Sequence, residues 1–164
     1  MFCDSLPPTD VLRVFDSGTG QPLLMSYEQS LDAALYSDTN ILRAGVCGGW
    51  TFCQESFGCT GLAGDYLSRL SESGQALLFF WNLEAMTWFA YACRGRVEAS
   101  FEPRMQGAMV SSADTPFMRR IRALSADRDT GGLNDLYLAA REILSLDPKK
   151  SDVEGDLPAL RIAR

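Results

Sequence analysis

A chain of 164 residues, 46% hydrophobic and 22% charged, is long enough to bury roughly two thirds of the surface its unfolded form exposes, which points to one soluble globular domain. Its formal net charge of −6 and sequence pI near 4.6 oppose attraction to nucleic acid phosphates or anionic lipid. It contains no histidine, which excludes histidine acid–base catalysis, Ser-His-Asp and Cys-His arrangements, and histidine metal ligation.

The first ten residues lack the basic and apolar regions of a secretory signal and read as an irregular lead-in. No apolar run approaches the roughly 20 residues that span a bilayer. The five cysteines, odd in number and set among apolar neighbours, suit reduced, mostly buried thiols better than a disulfide framework. Together these place the protein in the cytoplasm. Val11 to Phe15 fits a short strand or a small helix, and Asp16 to Pro22 is a turn cluster. Ser26-Tyr27-Glu28-Gln29 has the form of a capping box and opens a helix that ends near Ser37-Asp38.

Ile41 to Cys47 and Trp50 to Glu55 read as two strands joined by Gly48-Gly49, a two-residue hairpin signal. A glycine-rich loop follows, then a short helix over Asp65 to Leu70. In Gln75 to Trp81 every residue after the first is apolar, as in a central strand covered on both faces. Thr87 to Cys93 and Arg96 to Phe101 form a hairpin around Arg94-Gly95. Its second arm alternates, so Val97, Ala99 and Phe101 should face the core and Arg96, Glu98 and Ser100 water. Pro103 stops it.

Residues 104 to 112 read as loop. Asp114-Thr115-Pro116 supplies an Asp cap and a first-turn Pro for a helix that turns Phe117, Ile121 and Leu124 inward. A second helix, from about Leu133 to Leu146, carries Leu136, Ala140 and Ile143 on one stripe, and Pro148 ends it. Lys149 to Arg164 is a polar tail with one apolar cluster, Leu157-Pro158-Ala159-Leu160. The expected architecture is a single α+β domain: a mainly antiparallel sheet of four to five strands with helices packed on it.

The candidate chemistry is sparse. Glu55 shares a strand face with Thr51 and Cys53, where desolvation would suit a general acid or base; its ordinary role would be to bond a neighbouring loop amide or an arginine. Glu102, beside Pro103, is a candidate second carboxylate for the same cleft, against the simpler role of a solvated strand end. Cys47, Cys53 and Cys59 recur at a spacing that matches neither zinc nor redox motifs and fits core packing. Gly58, Gly61 and Gly64 are spaced like an anion cradle but lack the lysine of a phosphate-binding loop. Trp50, Trp81, Trp88 and Tyr91 lie in strands; buried they are core, exposed they would mark a pocket or an interface. Arg119 and Arg120 offer a surface to an acidic partner or form a solvated helix face. No cofactor or metal site is expected.

Gly49-Trp50-Thr51-Phe52-Cys53-Gln54-Glu55-Ser56-Phe57-Gly58, then Leu67-Ser68 and Phe101-Glu102-Pro103, resemble the G-W-x(4)-E-x(2)-G, L-S and F-[DE]-P pattern of a family of small actinobacterial proteins of unknown function. The resemblance runs from about Tyr27 to Leu146 and implies this fold and a bacterial setting, with no chemistry attached. Two functional expectations stand. One is a binding or accessory protein, immunity-like or serving a pathway, that recognises a protein or peptide partner or a small-molecule ligand. The other is a small cofactor-independent isomerase, cyclase or hydrolase of a natural-product pathway that uses Glu55 as acid or base.

Overall fold

The computed structural model describes residues 1–16, 20–63, 65–103, 105, 109–127, 129 and 131–163. Parts of the turn cluster (17–19), of the glycine-rich loop (64) and of the loop after Pro103 (104, 106–108) lie outside them. The elements in chain order are β1 (Phe2–Cys3), α1 (Pro8–Phe15), β2 (Leu23–Met25), α2 (Tyr27–Leu35), β3 (Thr39–Cys47), β4 (Trp50–Ser56) and α3 (Tyr66–Leu70). They continue with β5 (Gln75–Trp81), β6 (Thr87–Cys93), β7 (Arg96–Phe101), β8 (Met109–Val110), α4 (Pro116–Ala126), α5 (Leu133–Leu144), α6 (Lys150–Glu154) and β9 (Leu157–Ala163).

The strands form one antiparallel sheet in the order β2-β9-β3-β4-β1-β5-β6-β7-β8. It has nine strands among the described residues, against the expected four to five. The strands missed are those too short or too interrupted to show alternation. β1 and β8 have two residues each and β2 three, and Pro158 argues against an interior strand in β9. Pro158 is accommodated because it pairs with Leu24 of the edge strand β2, while the β3 ladder begins only at Ala159.

Both hairpins use positive φ at both turn residues, Gly48 (54°) with Gly49 (84°) and Arg94 (50°) with Gly95 (75°), the twist-matched geometry of a two-residue connection. The capping box of α2 is present, with Ser26 N–H donating to Gln29 Oε1 (2.9 Å) and Gln29 N–H to Ser26 Oγ (3.2 Å).

Helices cover both faces of the sheet. Over one face α4 and α5 pack Phe117, Ile121, Leu136 and Ala140 on Phe52, Leu77, Phe89 and Tyr91. Ala34 of α2 meets Ile41 and Ala159 at the β3–β9 end. Over the other face α1 and α3 set Leu12, Phe15 and Leu70 against Ala44, Cys53, Leu78 and Ala90.

Five local expectations are overturned. Residues 1–10 hold β1 and the start of α1, and the polar tail holds α6 and β9. Glu98 does not face water: it is 4% exposed, at a shift in register where Tyr91 pairs with Ala99 but Ala92 with Val97. Such an extra residue re-aims its neighbours, and Val97 accordingly packs with the α1–α3 core while Ala99 and Phe101 stay on the α4–α5 side. The cap of α4 is Thr115, whose Oγ1 accepts from Met118 N–H at 3.1 Å, while Asp114 pairs with Arg119 at 2.7 Å. In α5, Ile143 is 37% exposed and Ala139 takes the buried position instead.

Candidate functional site

A cleft lies beside β1, the shortest interior strand. β1 pairs Phe2 and Cys3 with Phe52 and Thr51 of β4 on one side, and with Leu77 and Ala76 of β5 on the other. Met1 adds one further rung, its α-amine donating to Cys53 O at 2.7 Å and its carbonyl accepting from Cys53 N–H at 2.8 Å. Beyond that rung β4 continues to Ser56 and β5 to Trp81, with no strand between them among the described residues. A cleft of about 800 Å³ opens there, within the size range of ligand pockets.

Its walls are mainly apolar. Phe79 and Tyr137 meet edge to face with ring centroids 5.8 Å apart, and Leu31 of α2 and Val153 of α6 line the same side of the sheet. Leu62, Leu78 and Phe80 also line the cleft. Phe57, 57% exposed, and Trp81, 70% exposed, stand at its rim. Phe57 has a φ of 61°, a conformation that a bulky residue adopts only where its surroundings impose it.

Glu55 lines this cleft, but its carboxylate is engaged. Oε1 accepts from Asn40 Nδ2 (2.9 Å), Thr60 Oγ1 (2.6 Å) and Thr60 N–H (3.2 Å), and Oε2 from Gly61 N–H (3.4 Å). The loop that follows β4 is thus folded around a side chain of β4 itself. Gly58 is required for the approach: a Cβ there would lie 1.8 Å from Glu55 Oε1 and 2.4 Å from Asn40 Nδ2. Of the glycines spaced like an anion cradle, Gly61 donates its amide, and it does so, with Thr60, to the chain's own Glu55. Gly64, the third glycine of that spacing, lies outside the described residues.

Glu102 does not join Glu55. It lines a separate depression of about 520 Å³ with Thr87 and Asp135, so the two carboxylates share no cleft. Trp50 is buried in the α4–α5 core and donates from Nε1 to Leu144 O at 3.0 Å. Tyr91 is buried there too, its hydroxyl donating to Gln75 Oε1 at 2.7 Å. Trp88 is half-buried and bonds Ser100 Oγ at 3.0 Å. Among the four strand aromatics singled out from the sequence, only Trp81 reaches the cleft. Arg119 and Arg120 lie on the exposed face of α4, with Arg119 paired to Asp114.

Cys47 and Cys53 are packing groups, as their spacing suggests. Burial pushes Cys47 up to about 11 and Cys53 up to about 12, so both stay protonated at neutral pH. Cys59 departs from that expectation: it is exposed, because it lies in the loop after β4 and not in the strand. All five cysteines are free.

Sequence reasoning missed Arg43. Its side chain is fully buried, donates from Nε to Met25 O (3.2 Å) and from NH2 to Gly155 O (2.5 Å), and lies over the Tyr27 ring at 5.7 Å. Its remaining nitrogen, NH1, has no partner among the described residues, nor has Oε1 of Gln54, the residue directly opposite on β4. An arginine inside an otherwise apolar strand gives no signal of burial, since arginine is seldom buried.

Among the described residues no group of three or more His, Cys, Asp or Glu could hold a metal ion, and no helix is long and apolar enough to cross a membrane. Neither the curated proteins nor the solved structures give a match to this chain. A family model does: described as a family of unknown function (DUF6461), it matches residues 4–145, which take in both walls of the cleft from β4 to α5, and the chain belongs to that family.

Proposed function

We propose that the protein is a recognition module that receives an apolar segment of a partner protein or peptide in the cleft between β4 and β5. One observation carries the reading: the sheet is split at its centre, and the split is lined by aromatic side chains and rimmed by exposed Phe57, Leu62 and Trp81. Exposed apolar groups gathered at a concave site mark binding surfaces. The enzyme reading loses support because both oxygens of Glu55 are committed to the loop, so a proton transfer there would first dismantle the wall of the site. The free thiols support a cytoplasmic setting. The G-W-x(4)-E-x(2)-G pattern is the support for an actinobacterial one, and an immunity-like or pathway-accessory role is the use such a module would serve.

Selection from a displayed library of random dodecapeptides tests this. The protein should retain a set of peptides that it loses on Asn134→Trp, a substitution at an exposed position of α5 that lines the cleft. A protein that retains no peptide, or the same set after Asn134→Trp, is not such a module.

A further inference from the structure

Arg43 is a buried cation with one nitrogen left over. Nε and NH2 donate to Met25 O and Gly155 O, while NH1 has no partner among the described residues. None of the ion pairs among those residues includes Arg43, and exposed Asp156 acts on it only through space. A guanidinium taken out of water calls for a counter-charge as well as for acceptors. Two neutral carbonyls and the face of the Tyr27 ring supply no net charge.

That nitrogen stands close behind the cleft wall. Directly opposite residues of an antiparallel pair share a face of the sheet, their Cβ atoms about 4.5–5.5 Å apart, and the residue opposite Arg43 is Gln54. Gln54 lines the cleft, and so does Tyr27, the ring under the guanidinium. Gln54 Oε1 is buried without a partner among the described residues, as NH1 is. An unpaired donor and an unpaired acceptor therefore sit on facing residues, the acceptor at the wall and the donor one layer behind it. Groups buried in this way destabilise the fold until something bonds them.

Resting on the reading of the cleft given above, we infer that the partner segment carries one carboxylate beside its apolar run and that Arg43 receives it. The Gln54 side chain swings aside to let the carboxylate reach NH1. One oxygen then accepts from NH1 and the other from Gln54 Nε2, with the carboxamide turned end for end, a change its near-identical ends permit. Nε and NH2 keep their carbonyls, so the frame around Met25 and Gly155 is unchanged. A carboxamide on the ligand would match NH1 and Oε1 as they stand but would leave the charge of Arg43 unpaired, and bonds to an ionised acceptor are about twice as strong as neutral ones. A single carboxylate is called for, not an acidic run, because a net charge of −6 repels a polyanion.

The probe is a synthetic copy of the strongest dodecapeptide from the library, used with the full chain. Versions are made with each Asp or Glu changed in turn to Asn or Gln, and with the C-terminus free or amidated. One of these neutralisations should weaken binding about tenfold or more, and which one it is distinguishes a side-chain carboxylate from a terminal one. Against Arg43→Met, the original and that neutralised peptide should bind alike. Because Arg43 also holds the frame, a second readout uses the unsubstituted protein: the nitrogen resonances of the Arg43 guanidinium should shift with the original peptide and stay in place with the neutralised one. Suppose the peptide binds and is lost on Asn134→Trp, yet every neutralised version binds equally, or the loss is as large against Arg43→Met, or the Arg43 resonances do not respond. The carboxylate site is then overturned while the cleft remains the binding site. If no peptide is lost on Asn134→Trp, the carboxylate site and the cleft reading fall together.

Discussion

Glu55→Ala removes the acceptor for Asn40 Nδ2, Thr60 Oγ1, Thr60 N–H and Gly61 N–H. Hydrogen bonds to a charged group contribute about 1.5–3 kcal/mol each when buried. Glu55 is half-buried, so water reaches the released donors and the loss is nearer 1 kcal/mol for each of the three shorter bonds, about 2–4 kcal/mol in all. Gly58→Ala acts on the same bonds from the other side, since its Cβ would fall 1.8 Å from Oε1 and 2.4 Å from Nδ2; expelling the carboxylate costs about 2–3 kcal/mol. If both substitutions break one set of bonds, the double variant is little worse than the more damaging single. The coupling between them is then about 1.5–2 kcal/mol. Urea unfolding of the four proteins measures the cycle, and each single variant should melt about 5–15 °C below the wild type. Glu55→Gln keeps one acceptor for the Oε1 cluster and should fall between. Additive losses, or a Glu55→Ala variant within 0.5 kcal/mol of the wild type, would refute the view that Glu55 is a structural pin.

Two further outcomes follow from the buried titratable groups. Ser111, with Arg96, holds the Glu98 carboxyl below its ordinary 4.5, while burial works the other way. A depressed carboxyl stabilises the fold above its unfolded value and loses that contribution as pH falls through the folded one, so the advantage of the wild type over Glu98→Gln should shrink between pH 7 and pH 3; an unchanged difference in unfolding free energy would count against it. The second concerns the thiols. A disulfide-forming reagent should modify exposed Cys59 first and half-buried Cys93 more slowly, with buried Cys3, Cys47 and Cys53 reacting only after denaturation. Native Cys53 reacting as fast as Cys59 would contradict the packing.

The sheet's central hairpins and all the longer helices after Ser26 were legible because each satisfies a local rule within its own residues: a paired-glycine turn, a capping box, a run too apolar for a surface helix. What stayed hidden depends on partners far along the chain. Phe2 and Cys3 become a strand only because Phe52 and Leu77 flank them, and two residues show no period. β9 reads as a cluster within a tail because its neighbour Thr39–Arg43 lies more than a hundred residues away. Glu98 broke the alternation because a bulge sits there, and helices on both faces left no wet side to receive it. The candidate site divides the same way: Glu55 was singled out, and its ordinary role, bonding loop amides, is the one found. Arg43, Phe79 and Tyr137 carried no signal that distinguished them from other strand and helix residues.

An apolar cleft in the middle of a sheet should collapse unless its walls are fixed from behind, since closing it would bury more surface. Three polar side chains add to the packing that fixes them. Glu55 gathers the loop after β4 through Thr60 and Gly61. Trp50 holds the end of α5, which carries Tyr137, through Leu144 O. Arg43 bonds Met25 O just ahead of α2 and Gly155 O just after α6, fixing the two helices that contribute Leu31 and Val153. These three side chains are spent on the cleft's frame, so the ordering entropy of its walls is met on folding, which is what the proposed binding role requires. Glu55, the carboxylate that lines the cleft among the described residues, belongs to that frame.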